Sequence, residues 1–384
     1  MAATGPPARA EWTTSSERNI RNIPLALSIL KFVGLQFRAR DFFMSAERRY
    51  FDDGFVLRPT WRAYAFHLLL LAVTFCTATI AGTLFPFGPV DTLPGAETDP
   101  QTAAQWLEFL ISLPSRYVGL LGGSIAGILT QPGHLAYGLS FSLSLLFILL
   151  CHEMGHYIAC RIYRVDATLP YFIPTPPMIG PAGTFGAFIK IMSPMPSRKA
   201  VFDIGVAGPI AGFLALLPVA VIGLLTMQTV TPDQAARLSG GIAFADPLLV
   251  QILAAAMGVN ITFGIGNAFY FAAWVGLLVT ALNLIPSGQL DGGHALYAVF
   301  GARVHRWTGR IAFVLMAALS LLGWFIYNSP SGLLVTILLG IMMRVRHPQP
   351  YDDSPLDRKR RAIAALVLVI FLLSFVPFPI RIAY

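Results

Sequence analysis

Charge is what this sequence has least of. Asp, Glu, Lys and Arg together make up 12% of its 384 residues, about half the share of a soluble domain. That deficit excludes a cytosolic enzyme. With 55% hydrophobic residues and a mean hydropathy of +0.66, the chain falls in the membrane class. Cysteine is scarce too: Cys76, Cys151 and Cys160 are odd in number and lie in or beside apolar stretches. This excludes a disulfide framework, and all three read as small buried hydrophobes. The first 60 residues lack a short apolar core followed by a small-residue cleavage site, so no removable secretory signal is expected. There is no fixed-period repeat, no low-complexity tract, and no connection long and polar enough for a soluble domain.

What charge there is has one sign in excess. The formal net charge is +8, which in this class points to anionic lipid and not to nucleic acid. Arginines and a lysine crowd residues 1–62, interrupted by the apolar run Ile23–Phe37, which is too short and too charged to span. This segment reads as a basic arm, cytoplasmic or lying on the membrane surface. Apolar stretches near 63–84, 134–158, 203–227, 266–286, 311–327 and 362–381 suit membrane helices, with a shorter seventh at 331–345. The stretch 104–127 carries Pro114, Arg116 and a Gly-Gly pair, so it is expected to be re-entrant or interfacial. Acidic residues and no basic ones lie near 85–103, whereas Lys and Arg populate 159–202, 303–310 and 344–361. By that asymmetry the N-terminus is cytoplasmic and the C-terminus outside.

The expected fold is therefore an all-α polytopic membrane protein of about seven transmembrane helices. Its expected parts are the arm (1–62), a first span with an outer or re-entrant segment (63–133), a catalytic core (134–305) and C-terminal helices (306–384). Residues Gly186–Met192 alternate, are rich in Phe and Ile, and follow Gly183, which predicts a short re-entrant strand or hairpin and not a span. A peptide bond within a helix is shielded by its own hydrogen bonds. An unwound chain lying alongside would lose those bonds, and Gly186, Ala187, Phe188 and Ile189 could supply replacement backbone partners by strand addition.

The chemistry concentrates in His152-Glu153-Met154-Gly155-His156. On a helix, residues four apart lie about 40° apart around the axis, so both imidazoles can point at one ion. Glu153, about 100° round from His152, can take a proton from water activated there, which is the arrangement of a zinc hydrolase. The alternative, two satisfied core histidines with a snorkelling glutamate, is opposed by the cost of ionisable groups inside an apolar helix. Catalytic zinc takes three protein ligands. Asp291, in Asn283-Leu-Ile-Pro-Ser-Gly-Gln-Leu-Asp-Gly-Gly-His294, is the best third candidate, because it lies at the cytoplasmic end of the 266–286 span, on the side of both histidines, where Pro286, Gly288, Gly292 and Gly293 would break the helix and let it turn inward. A capping role for Asp291 is the competing reading. Gly205, Gly208 and Gly212 form a small-residue face expected to pack against the zinc helix, and Asp203 is expected to act as a cap or dipole partner. His294 is expected to be a polar group near the cytoplasmic mouth. His67, His134, His305 and His347 receive no role.

HEMGH on one apolar segment, then FDIGVAGPIAG, then NLIPSGQLDGG on another, resembles the site-2 protease family of intramembrane zinc metalloproteases over roughly residues 134–305. The loop Ile173-Pro-Thr-Pro-Pro and the run from Gly183 to Ile191 look like the branch without PDZ or CBS domains that includes chloroplast members. The resemblance implies one Zn²⁺ per chain held by His152, His156 and Asp291, with Glu153 as catalytic base and Asn283 holding the substrate backbone. It implies single-pass membrane protein substrates in the bilayer and regulated intramembrane proteolysis after an upstream site-1-type protease; the basic arm and the lack of an obvious transit peptide point instead to a bacterial plasma or inner membrane location. The rival functions are a protease-like protein that only binds membrane partners and a divalent-metal transporter.

Overall fold

Polar side chains placed just ahead of apolar runs start most of the helices. In the computed structural model, which describes residues 59–90, 101–231, 234, 242–344 and 349–382, Thr60 Oγ1 accepts from the Ala63 amide to begin α1 (Trp61–Thr83). Thr102 and Gln105 form a reciprocal capping box for α2 (Ala103–Thr130), and Pro132 opens α3 (Pro132–Ile162). Ser197, Asn267 and Asp357 cap α4 (Arg198–Leu225), α6 (Ala268–Asn283) and α9 (Arg358–Ser374). The remaining helices are α5 (Leu248–Met257), α7 (Asp291–Tyr327) and α8 (Ser331–Met342). The described residues belong to one unit, Arg58–Tyr384. The basic arm, apart from its last residues, lies outside the described residues, as does His347.

Among the described residues, five helices are long and apolar enough to cross a membrane: α1, α2, α3, α4 and α7. This differs from the expected seven in three places. The 266–286 stretch is helical for only 16 residues and the 331–345 stretch for 12. The 362–381 stretch leaves the helix at Ser374, and Ile380–Ile382 becomes a strand. Pro377 and Pro379 stand in between, and each disfavours helix at the residue before it. The 104–127 stretch also departs from expectation, since it is one unbroken helix of 28 residues with Pro114 inside it. Only its Ser124 is buried, bonded at 2.8 Å to Thr83 of α1.

The third helix is the hub, packing on α4, α1 and α6. Small residues set those approaches: a Cβ on Gly155 would lie 2.5 Å from the Ala207 carbonyl of α4, and one on Gly138 would lie 2.7 Å from the Thr79 carbonyl of α1. Close backbone approach of this kind is how apolar helices gain contact where lipid offers no hydrophobic driving force. Thr79 and Ser142 add a hydroxyl bond of 2.8 Å between α1 and α3, the sort of link worth about 0.6 kcal/mol in a membrane helix bundle. Of the three cysteines only Cys160 is fully buried; Cys76 is exposed.

Asp203 does not cap α4, a role Ser197 fills. Its carboxylate instead receives Arg360 of α9 through Nε at 2.9 Å and Nη2 at 2.6 Å, and accepts from the Tyr163 hydroxyl beyond the end of α3. Arg360 also pairs with Asp357. Three helix ends are thus tied at one charge cluster.

Strands occupy the connections. β1 (Tyr171–Pro174) and β2 (Thr184–Phe188) pair antiparallel with an irregularity between Phe172 and Pro174. Bonds between Thr168 and Lys190 and between Asp166 and Met192 continue the hairpin past β2. The expected strand therefore lies two residues earlier, in a hairpin as anticipated. The hairpin rises along α1: His67 Nδ1 donates to the Pro170 carbonyl at 3.0 Å, and Thr77 Oγ1 donates to the Gly183 carbonyl at 2.8 Å. Ten residues of helix correspond to about 15 Å of climb. Two further small sheets pair β3 (Gln228–Thr229) with β5 (Gly264–Ile265), and β4 (Ile242–Phe244) with β6 (Ile380–Ile382).

Candidate metal centre

His152 and His156 sit one turn apart in the C-terminal half of α3, both buried. Their Nε2 atoms are 3.2 Å apart. The ring of His156 is oriented by a bond of 2.7 Å between its Nδ1 and the carbonyl of Ile204 on α4. A carbonyl can only accept, so Nδ1 carries the proton and Nε2 keeps its lone pair for an ion.

The break that brings Asp291 to the same place follows from its sequence. Helix α6 stops at Asn283, residues 284–290 turn through Gly288 at φ +55°, and α7 starts at Asp291. A Cβ on Gly292 would meet the Leu284 carbonyl at 2.0 Å, and one on Gly293 would meet the Gly288 carbonyl at 2.6 Å. Only glycine lets the chain fold back this tightly. Leu290 occupies the cap position without a side-chain bond, and the Asp291 carboxylate is turned to the histidines. Its Oδ2 lies 3.2 Å from His152 Nε2 and 3.3 Å from His156 Nε2.

Three donor atoms thus form a near-equilateral triangle with edges of 3.2, 3.2 and 3.3 Å. Ligands held about 2.0–2.1 Å from a tetrahedral ion stand about 3.3 Å from one another. Two neutral imidazoles and one carboxylate also make the donor chemistry of a catalytic zinc site with a fourth position open. The residues present fit the ion. Among the described residues this is the one group of three or more potential ligands so gathered, and His294 is not part of it.

Asn283, the last residue of α6, closes in from another side, with Nδ2 3.2 Å from His152 Nε2. Glu153 is buried beside the triangle, and its carboxylate accepts a hydrogen bond from the backbone N–H of Ile189. Backbone groups alternate along a strand. Lys190 and Met192 bond toward the β1 side, so the polar groups of Ile189 and Ala187 point to the opposite edge, the one facing Glu153. Gly186, at φ +93°, and Phe188, exposed, flank Ala187. The structure brings His152, His156, Asp291, Asn283 and Glu153 into one place, with the 186–189 edge against it.

The glycine face of α4 is what makes room. A Cβ on Gly208 would lie 2.1 Å from His156 Nε2, one on Gly212 would lie 3.0 Å from His152 Cβ, and one on Gly205 would lie 2.8 Å from His294 Cβ. Sequence reasoning missed His305, which is buried with Nε2 2.9 Å from the Gly288 carbonyl in the turn that carries Asp291. No sequence pattern marks a partner that is a backbone carbonyl.

A helical membrane-type bundle with a buried two-histidine, one-carboxylate centre and an adjoining glutamate defines the class. Residues 140–323, which contain His152, Glu153, His156 and Asp291 as well as Asn283, match the model of Peptidase family M50. Over those residues the chain is similar to that family, the site-2 proteases. Among curated proteins it is 30% identical over 250 residues to "Probable zinc metalloprotease EGY1, chloroplastic" of Arabidopsis thaliana, covering 63% of this chain and 42% of that protein. It is 28% identical over 306 residues to "Probable zinc metalloprotease EGY2, chloroplastic" of the same plant, covering 75% and 52%. The chain thus spans about half the length of these relatives. No solved structure matches it.

Proposed function

We propose that this chain is an intramembrane zinc metalloprotease that hydrolyses peptide bonds of membrane-spanning substrates. The observation that carries the reading is the triangle of His152, His156 and Asp291 with Glu153 and an open strand edge beside it. Zinc bound there would polarise the scissile carbonyl and make water nucleophilic near neutral pH. The protein's own residues do the rest. Glu153 accepts the proton of the attacking water and returns it to the leaving amine. The Ala187 and Ile189 edge pairs with the unwound substrate backbone, and Asn283 holds that strand over the centre. The surrounding apolar helices exclude bulk water, which strengthens each of these polar contacts.

The hairpin that climbs beside α1 reads as re-entrant, entering the bilayer from the end at which α3 terminates. Lys and Arg gather at that end, which favours a cytoplasmic active site and N-terminus. The relatives carry chloroplastic names; a plasma or inner membrane placement rests only on the basic arm and the lack of an obvious transit peptide. Regulated intramembrane proteolysis, with single-pass substrates trimmed first by a site-1-type protease, is the physiological setting this chemistry suits.

The test is co-expression of wild type and Glu153→Gln with a library of single-pass membrane proteins. Fragments should appear with wild type only, while purified Glu153→Gln retains one zinc per chain. Equal fragment patterns would overturn the reading in favour of a metal transporter or an inactive binding protein.

A further inference from the structure

The part of the centre most in need of support is Asp291, because it stands at the first residue of α7, directly after a turn, and not within a helix. His152 and His156 are fixed by one helix, but Asn283 and Asp291 stand at either end of residues 284–290. Within that turn, Gly288 adopts φ +55°, three residues before Asp291. Its carbonyl is buried, and a buried carbonyl left without a partner destabilises the turn that holds it.

The partner comes from further along α7. That helix kinks at Gly301 (φ +82°), and the segment beyond it runs back past the turn. His305, 7% exposed, directs Nε2 to the Gly288 carbonyl at 2.9 Å. One turn later Gly309 packs against the same strip of chain: a Cβ there would lie 3.4 Å from Ser287 Oγ and 3.7 Å from Ser287 Cα. On the other side, a Cβ on Gly288 would meet the Met342 carbonyl of α8 at 2.7 Å. The turn is thus clasped between α7 and α8, with His305 as its polar fastening. The carbonyl can only accept, so His305 Nε2 carries the donated proton.

We propose that His305 is a positioning residue for the metal centre, holding the 284–290 turn so that Asp291 completes the ligand triangle and Asn283 stays beside it. The inference rests on the metal-binding reading above. It places a determinant of metal affinity fourteen residues from the nearest proposed ligand, on a helix that contributes no second ligand itself.

The test compares wild type, His305→Leu and His305→Gln in the full-length protein. Zinc affinity is measured by chelator competition, and melting of the metal-free protein is measured alongside. His305→Leu removes the donor. It should weaken zinc binding by about tenfold or more, the range seen when a group behind a ligand is lost. His305→Gln carries an N–H at similar reach and should restore affinity to within a few-fold of wild type. The melting temperature of metal-free His305→Gln should match that of wild type.

Wild-type zinc affinity in a folded His305→Leu would overturn the proposal. So would His305→Gln losing affinity as deeply as His305→Leu, since that would make the ring's shape, and not its donor, the requirement. If wild type itself bound no zinc, the metal-binding reading would fail, a result distinct from either of these.

Discussion

A methyl group on Gly208 would lie 2.1 Å from Nε2 of His156, the atom that faces Asp291. The ring cannot swing away without breaking its bond to the Ile204 carbonyl. Gly208→Ala is therefore expected to cut zinc retention sharply, well beyond about tenfold, because a ligand atom itself is displaced. Gly212→Ala, with 3.0 Å to His152 Cβ, should cost less. Gly119→Ala has nothing within 4 Å and should leave zinc unchanged. Metal content per chain after gel filtration ranks the three; equal retention in all would mean that this glycine face does not shape the centre.

What could be read from the sequence alone was the part whose chemistry is written in residue type. His152, Glu153 and His156 announce themselves by helical spacing, and Asp291 by Pro286 and the glycines around it that force a turn. The rest depended on partners far along the chain. Asp203 looked like a cap because it stands near a helix start, yet its partner Arg360 is 157 residues away. The α2 stretch reads as re-entrant or interfacial because of Pro114, Arg116 and the Gly122-Gly123 pair, yet it is helical throughout. In an apolar setting no solvent competes for the backbone, and the helix persists through them. Helix ends at Asn283 and Ser374 were misjudged because apolarity continues past them while the backbone does not.

The Asp203–Arg360 pair makes a second prediction. Two nitrogens of Arg360 hold one carboxylate that also accepts from Tyr163, joining α9 to the ends of α3 and α4. Removing Arg360 leaves the Asp203 carboxylate with only the Tyr163 hydroxyl, and removing Asp203 leaves Arg360 with only Asp357 and Tyr163. Arg360→Met or Asp203→Asn should each destabilise the fold by about 1–3 kcal/mol. In a double-mutant cycle the pair should couple, so that the double variant loses less than the sum. Additive losses in urea or thermal unfolding would dismiss the cluster as incidental.

Asp357 gives a pH prediction with a definite sign. The backbone N–H of Arg360, and then its guanidinium, hold the Asp357 carboxyl below its ordinary value. A depressed carboxyl contributes stability that is present above its unfolded value, near 3.9, and lost as pH falls through the lower folded value. The start of α9 should accordingly loosen on acidification below about pH 4. Asp357→Asn should flatten that portion of the profile. Hydrogen exchange of the first turn of α9 between pH 3 and pH 6 reads it directly, and an unchanged pH slope in the variant would contradict the assignment.

The open edge of the hairpin carries the last prediction. Ala187 points its backbone polar groups the same way as Ile189, whose N–H meets Glu153, and it makes none of the hydrogen bonds of the ligand triangle. Proline at this position removes one N–H from the edge and nothing from the metal. If strand addition positions the substrate, Ala187→Pro should lower turnover of a membrane-spanning substrate by about tenfold, corresponding to one lost backbone hydrogen bond of about 1.4 kcal/mol. Zinc content should stay at the wild-type level. The loss should also be smaller for a short, already extended peptide, because such a substrate depends less on the edge to stay unwound. Full activity of Ala187→Pro toward the membrane-spanning substrate would remove the edge from the mechanism and leave Asn283 as the only proposed backbone anchor.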